Sequence, residues 1–287
     1  MQLKKYSWLY EVSNQTPLFF ILGPCVLENE KDTLHAAEVL KALSEKYKFK
    51  LIFKGSIDKA NRTAVSSYRG LSLDVGLKIL EKVRNEFDVP VVTDVHETNQ
   101  VAEVASVVDV LQIPAFLCRQ TDLICECAKT GLPVHVKKGQ FEAPESMEHV
   151  IGKVEAMGNK HTWLCERGTS FGYHNQVVDM RNFSIMKDLG SPVIFDVTHS
   201  LQRPGGLGGM SGGDVSLIPA LAAAAISQQI AGLFLMVHPQ PEKAKCCGPV
   251  SISLSKVERM IAYYVQLDAW VKGHGALESL LDGQKFV

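Results

Sequence analysis

Eight short β-branched or apolar runs, each trailed by a stretch of helical character, constrain this chain more than any other feature. They fall at 18–23, 50–54, 89–95, 108–113, 133–136, 162–165, 192–197 and 232–237. Such alternation is the pattern of parallel βαβ units. Helical periodicity occupies 33–47, 75–87, 99–107, 121–130, 146–157 and 215–230, and a last helix is expected at 255–270. Eight strand–helix units with no Pro/Gly-rich linker between them predict an α/β chain folded as a closed (β/α)8 TIM barrel. At 287 residues it is long for one domain, but barrels of this type reach that size undivided, so 1–287 is read as a single domain. An open doubly wound sheet fits less well, because no G-x-G-x-x-G follows the first run. The segment before Pro17, which includes Tyr6, Trp8, Leu9 and Val12, is expected to form a short N-terminal β-hairpin closing the barrel bottom.

Composition removes whole classes of partner. Thirty Lys and Arg against 31 Asp and Glu leave a formal charge of -1, so there is no global basic field for nucleic acid. No apolar stretch approaches the roughly 20 residues of a membrane helix, so no membrane association is expected. The first residues, Met1 to Tyr6, lack the apolar segment of a secretory signal, and a cytoplasmic location is expected. Seven cysteines, an odd number without a small-scaffold spacing, read as free thiols. Cys125 and Cys127 suggest a metal pair, but side chains two apart on a helix point away from each other.

Chemistry in such barrels gathers at the C-terminal ends of the strands. Here those ends are strongly polar. They carry Cys25; Lys54, Ser56, Asp58, Lys59, Asn61 and Arg62; Asp94, His96 and Glu97; Gln112 and Arg119; Lys137 and Lys138; Glu166 and Arg167; Asp196 and His199; and His238. A nearly neutral chain that sets Lys54, Lys59, Arg62, Lys137 and Arg167 around one mouth concentrates positive potential where phosphate and carboxylate bind. Any one of these cations, taken singly, is as readily a surface or ion-paired residue; five at equivalent places in the repeat are not. The Gly-rich stretch 204–213 after the seventh run lacks the Walker pattern, so no nucleotide cofactor is expected. It reads as a phosphate cradle, a loop closing over the site, or a plain surface loop.

The motifs Gly23-Pro24-Cys25, Lys54-Gly55-Ser56-Ile57-Asp58-Lys59-Ala60-Asn61-Arg62-Thr63, Thr93-Asp94-Val95-His96-Glu97 and Gln112-Ile113-Pro114-Ala115 resemble the 3-deoxy-D-manno-octulosonate 8-phosphate synthase family. So do Cys118-Arg119, Val136-Lys137-Lys138-Gly139, Cys165-Glu166-Arg167-Gly168, Asp196-Val197-Thr198-His199 and His238-Pro239. Lys59-Ala60-Asn61-Arg62 separates that family from the related heptulosonate 7-phosphate synthases, which have Lys-Pro-Arg there. The resemblance implies condensation of phosphoenolpyruvate with D-arabinose 5-phosphate, an aldose phosphate, for lipopolysaccharide assembly, by a homotetramer. It assigns Lys54, Ser56, Lys59, Gln112, Ala115, Lys137 and Arg167 to phosphoenolpyruvate. Asn61, Arg62 and Thr63 go to the sugar phosphate, with Arg119 supplied across a subunit interface. Lys59, Asp94, His96 and His199 are the catalytic candidates, with the base left open.

The same resemblance implies a divalent metal (zinc, iron or manganese) where a Cys follows the first strand, as Cys25 does. The family's other ligands are a His, a Glu and an Asp. His199 is in place, but Met236 stands where Glu is expected and Cys247 where Asp is. One reading keeps a metal on Cys25, His199 and Cys247, a set suited to zinc. Another has the site without metal, running metal-free or as a non-catalytic sugar-phosphate-binding homologue, with Cys246 and Cys247 as ordinary buried thiols. A heptulosonate-type synthase taking a different aldose phosphate is the third alternative.

Overall fold

A computed structural model describes residues 5–62, 64–203 and 212–281. Eight parallel strands form the frame: β1 (Phe19–Gly23), β2 (Leu51–Lys54), β3 (Val91–Asp94), β4 (Val110–Ile113), β5 (Val134–Lys137), β6 (Thr162–Glu166), β7 (Val193–Asp196) and β8 (Gly232–His238). Each bonds to the next, and β8 returns to β1 in the register Phe19↔Gly232 through Gly23↔Met236. The sheet is therefore a closed barrel, as the eight runs predict. Closure leaves no unpaired edge.

Alternation along the strands sorts their side chains into two apolar bodies. Phe19, Ile21, Ile52, Val92, Val110, Trp163, Ile194 and Phe234 fill the barrel interior. Phe20, Leu22, Phe53, Leu111, Val136, Leu164, Phe195 and Leu235 pack outward under the helices. The interior is tight enough that a Cβ on Gly232 would lie 2.6 Å from the Phe19 ring. Continuing the inward alternation to the strand ends brings up Lys54, Asp94, Gln112, Lys137 and Asp196, all at most partly exposed. The barrel is thus apolar below and polar at the top, and that polarity gradient places the site.

The helices are α1 (Glu30–Tyr47), α2 (Leu73–Glu86), α3 (Val101–Ala105), α4 (Thr121–Lys129), α5 (Met147–Ala156), α6 (Arg181–Asp188), α7 (Val197–Ser200), α8 (Ile218–Ile226) and α9 (Leu254–Gly273). The Asn29 side chain caps α1 by accepting from the Asp32 amide at 2.8 Å. Cys125 and Cys127 lie on α4, and Cys127 is buried with its thiol pushed up to about 12 by burial. No helix among the described residues is long and apolar enough to cross a membrane.

Three expectations need correcting or bounding. Among the described residues no hairpin precedes β1: Ser7–Tyr10 is a 3-10 turn. Tyr6 and Leu9 both join the barrel-interior cluster, and residues three apart share a face of such a turn but not of a strand. The seventh run ends as a strand at Asp196, whose carboxylate accepts from the His199 amide at 3.0 Å and turns the chain into α7. The Gly-rich stretch 204–213 lies outside the described residues apart from Gly212–Gly213, which pairs antiparallel with Gln202–Arg203.

Candidate active site

A cavity of about 220 Å³ opens at the C-terminal ends of the strands. Every strand except β8 feeds it directly. Cys25 follows β1; Lys59, Asn61 and Arg62 come from the loop after β2; Asp94 and His96 from β3; Gln112 and Ala115 from β4. Lys137 ends β5, Arg167 follows β6, and Asp196 and His199 follow β7, with Cys246 and Cys247 arriving from the loop after β8. Lys54 and Ser56 are fully buried and do not line the cavity. They support it from beneath: Lys54 Nζ donates to the Cys25 carbonyl at 2.9 Å and to Ser56 Oγ, while Ser56 Oγ donates to Asp94 at 2.5 Å. Arg119 lies away from the cavity, 73% exposed, in an ion pair with Glu142 at 2.8 Å. Thr63 lies outside the described residues.

Two buried carboxylates hold the cations in place. Asp94 sits 3.7 Å from Lys54, 3.9 Å from Lys59 and 3.9 Å from His96. Burial opposes its charge, but Lys54 and Lys59 overcome that and hold it well below the ordinary carboxylate range. Asp196 receives Lys137 Nζ at 2.6 Å and His199 Nδ1 at 2.6 Å. Its carboxyl too is held far down against burial, by His199 and Lys137. The lysines respond differently. Burial, helped by Lys59, pushes Lys54 down to about 8. At Lys59 burial works against the charge, yet Cys25 and Asp94 raise it well above the ordinary lysine value.

The arginines are freer. Arg167 donates to Gln176 at 2.6 Å, and Arg62 donates to Cys246 Sγ at 2.9 Å. Neither has a carboxylate partner within ion-pair distance among the described residues, and both line the cavity. An unpaired guanidinium in a half-enclosed cavity is a ready receptor for phosphate or carboxylate. Lys137 Nζ also lies 3.2 Å from the Phe234 ring centroid, so the floor beneath this cation is aromatic.

Cys25, His199 and Cys247 form a set able to hold a metal ion. His199 Nε2 is 3.8 Å from Cys25 Sγ and 3.9 Å from Cys247 Sγ, and the two sulfurs are 3.0 Å apart. Ligands about 2.0–2.3 Å from a tetrahedral zinc stand roughly 3.5–3.8 Å from one another, so only the sulfur pair needs to spread. The Asp196 bond to Nδ1 leaves Nε2 facing the sulfurs, the usual arrangement behind a metal-ligating His. Cys25 is held well below the ordinary thiol range by its hydrogen-bond contacts with Cys246 and Cys247 and by nearby Lys59. The donor chemistry therefore fits a soft or borderline ion. Met236 is fully buried beside Cys25 in the barrel interior.

Six cavity residues are absent from the sequence-derived site: Pro114, Phe116, Gln140, Asp196, Gln202 and Cys246. Asp196 was visible as a strand-end carboxylate, but its double partnership was not. Gln202 donates to Cys247 Sγ at 3.0 Å across 45 residues, a contact no local pattern reveals.

With this geometry in view, the relatives can be placed. A family model described as the DAHP synthetase I family matches residues 11–272. The 2-dehydro-3-deoxyphosphooctonate aldolase of Dichelobacter nodosus is 51% identical over 271 residues, covering 94% of this chain and 98% of its own length. The protein of the same name from Nitrosococcus oceani is 50% identical over 270 residues, 94% of this chain and 96% of its own. That from Francisella tularensis subsp. holarctica is 49% identical over 269 residues, 94% and 98%.

Proposed function

The chain belongs to the DAHP synthetase I family, and on that premise we propose that it condenses phosphoenolpyruvate with D-arabinose 5-phosphate, giving 3-deoxy-D-manno-octulosonate 8-phosphate and inorganic phosphate. It is a transferase of lipopolysaccharide precursor synthesis, acting in the cytoplasm as a homotetramer whose single barrel domain carries the reaction. The observation that carries this reading is the cavity itself: Lys59, Asn61 and Arg62 from the loop after β2 line it together with Lys137 and Arg167 from β5 and β6, a density of cations and amide suited to phosphorylated partners.

Lys59, Lys137 and Arg167 hold the phosphate and carboxylate of phosphoenolpyruvate, with Gln112 and Ala115 shaping the pocket and Lys54 and Ser56 fixing the floor. Asn61, Arg62 and Thr63 hold the sugar phosphate, and Arg119 reaches the site of a neighbouring subunit. C3 of the enol attacks the aldehyde carbon, water adds at C2, and phosphate leaves with cleavage of its C–O bond. Fixed cations stabilise the developing anions, and orientation of the aldehyde against the enol supplies much of the acceleration. Lys59, kept protonated by Cys25 and Asp94, donates toward the developing alkoxide. His96 beside Asp94 is the pair that holds the water and moves its proton, and His199, fixed by Asp196 through Nδ1, takes that part only where its Nε2 holds no metal.

Cys25, His199 and Cys247 would hold a divalent ion (zinc, iron or manganese), which when bound polarises oxygen atoms near it. No nucleotide takes part. The test is phosphate release from phosphoenolpyruvate and arabinose 5-phosphate by the purified protein, after EDTA and then with zinc, iron or manganese restored. Phosphoenolpyruvate binding without release under any of these conditions would leave a sugar-phosphate-binding homologue. Turnover with erythrose 4-phosphate in place of the pentose phosphate would make it a heptulosonate-type enzyme.

A further inference from the structure

Three sulfur atoms meet at the wall of the cavity. Cys25 Sγ lies 3.0 Å from Cys247 Sγ and 3.5 Å from Cys246 Sγ, and the latter two are 3.3 Å apart. Metal ligation accounts for Cys25 and Cys247 as donors but not for their closeness: two thiolates on one tetrahedral zinc keep roughly 3.8 Å between them. A disulfide bond is about 2.0 Å long, so the pair stands nearer to it than any other two sulfurs here.

The backbone at Cys247 points the same way. Its φ of 57° and ψ of 20° lie in the left-handed region, which Asp and Asn tolerate and cysteine rarely occupies. The conformation is fixed by bonds to its carbonyl from the Val250 amide at 3.1 Å and from Ser251 Oγ at 2.9 Å. A residue ill-suited to this backbone is kept where its thiol reaches Cys25. Both sulfurs can be reached: Cys25 and Cys247 line the cavity, Cys25 buried at its wall and Cys247 partly exposed.

We propose that Cys25 and Cys247 form a reversible oxidation site, closed to a disulfide by hydroperoxides and reopened by dithiols. The Cys25 thiolate attacks one oxygen of the peroxide and the O–O bond breaks. For hydrogen peroxide this leaves Cys25 as a sulfenic acid, and the departing hydroxide takes the Cys247 proton to leave as water. The Cys247 sulfur then attacks the Cys25 sulfur; the S–O bond breaks, and the second hydroxide takes a proton from solvent to leave as water. The two sulfurs lose two electrons, and one peroxide becomes two waters. A dithiol reverses the change by two exchange steps. Cys246 is the poorer partner: Arg62 already donates to its sulfur, and a bridge between adjacent residues strains a planar trans peptide. The closed form takes both sulfurs from the metal set. Only that consequence rests on the function proposed above.

The experiment treats the full chain, metal-free and zinc-loaded, with one equivalent of hydrogen peroxide, followed by alkylation, digestion and mass spectrometry. The expected product is a Cys25–Cys247 cross-linked peptide, lighter by two hydrogens and abolished by dithiothreitol. It forms in C246S and is lost in both C247S and C247D, the second of which restores the residue expected from the family. Zinc-loaded protein cross-links about tenfold more slowly, because its thiolates are engaged, and releases its zinc to a chromogenic chelator in step with the cross-link. A bridge through Cys246, or oxygen addition at Cys25 or Cys247 with no bridge, overturns the proposal. Both readouts are independent of turnover: an inactive chain that cross-links defeats the synthase reading alone, and an active chain that does not defeats this one alone.

Discussion

Lys54 shows how a residue can matter to a site it does not touch. It is fully buried, and its ammonium charge, pushed down to about 8, contributes to the anion-attracting potential above it only while protonated. The sign follows directly: below that pH the charge is present, and above it the charge is lost. For phosphoenolpyruvate, kcat/KM should therefore fall by about tenfold per unit above pH ~8, whereas kcat, measured with the anion bound, should hold to higher pH. A flat kcat/KM profile up to about pH 10 would remove Lys54 from the argument. Asp196 is the complementary case. Asp196→Ala strands the Lys137 ammonium and should cost about 3–5 kcal/mol in urea unfolding. It also frees the His199 ring, so zinc affinity should drop by about 10–100-fold in a competition titration. Site residues of this kind were legible because a charged residue ending an apolar run has few reasons to be there. The Arg62–Cys246 contact was not, since it joins loops 184 positions apart.

At the level of elements, the strands were easier to read than what joins them. A buried strand is an apolar run with defined ends, and all eight were found. Helix α6 escaped because Arg181–Asp188 spans barely two turns, too short for a period to emerge. The supposed hairpin failed for a different reason: Tyr6 and Leu9 are spaced for a turn, and only the barrel floor they plug decides between the two. Leu9→Ala should accordingly cost about 2–5 kcal/mol by chemical denaturation, as for a core leucine; a loss near zero would mean the plug is ornamental. The junction of β1 and β2 is more exacting. A Cβ on Gly23 would fall 1.8 Å from the Lys54 carbonyl oxygen, so Gly23→Ala must push the strands apart just before Cys25. The expected loss is about 3 kcal/mol or more, accompanied by weakened metal binding; an unchanged melting temperature would refute the close approach.

Considered whole, the molecule has a sheet without edges and a surface that is not uniformly polar. Phe116, Phe141, Phe171 and Tyr173 are all exposed, on loops following β4, β5 and β6, and Arg119, on the loop after β4, is exposed too. Exposed aromatic rings and an exposed arginine are the composition of an interface core. Sedimentation equilibrium should find a species of four times 31.6 kDa, and Phe116→Asp should shift it to smaller ones. A wild-type monomer at micromolar concentration would exclude the tetramer and, with it, a shared role for Arg119.

The two ends of the cavity are anchored unequally, and this bears on how such enzymes change over time. Lys137 sits in a barrel strand, fastened to Asp196 on another, whereas Asn61 and Arg62 ride on a connecting loop. On the proposed function, the phosphoenolpyruvate end keeps in Lys137 a cation that changes only with the barrel frame, whereas the sugar end rests on loop residues alone. Under that function, lineages built on this plan would take up a new aldehyde more readily than a new three-carbon donor.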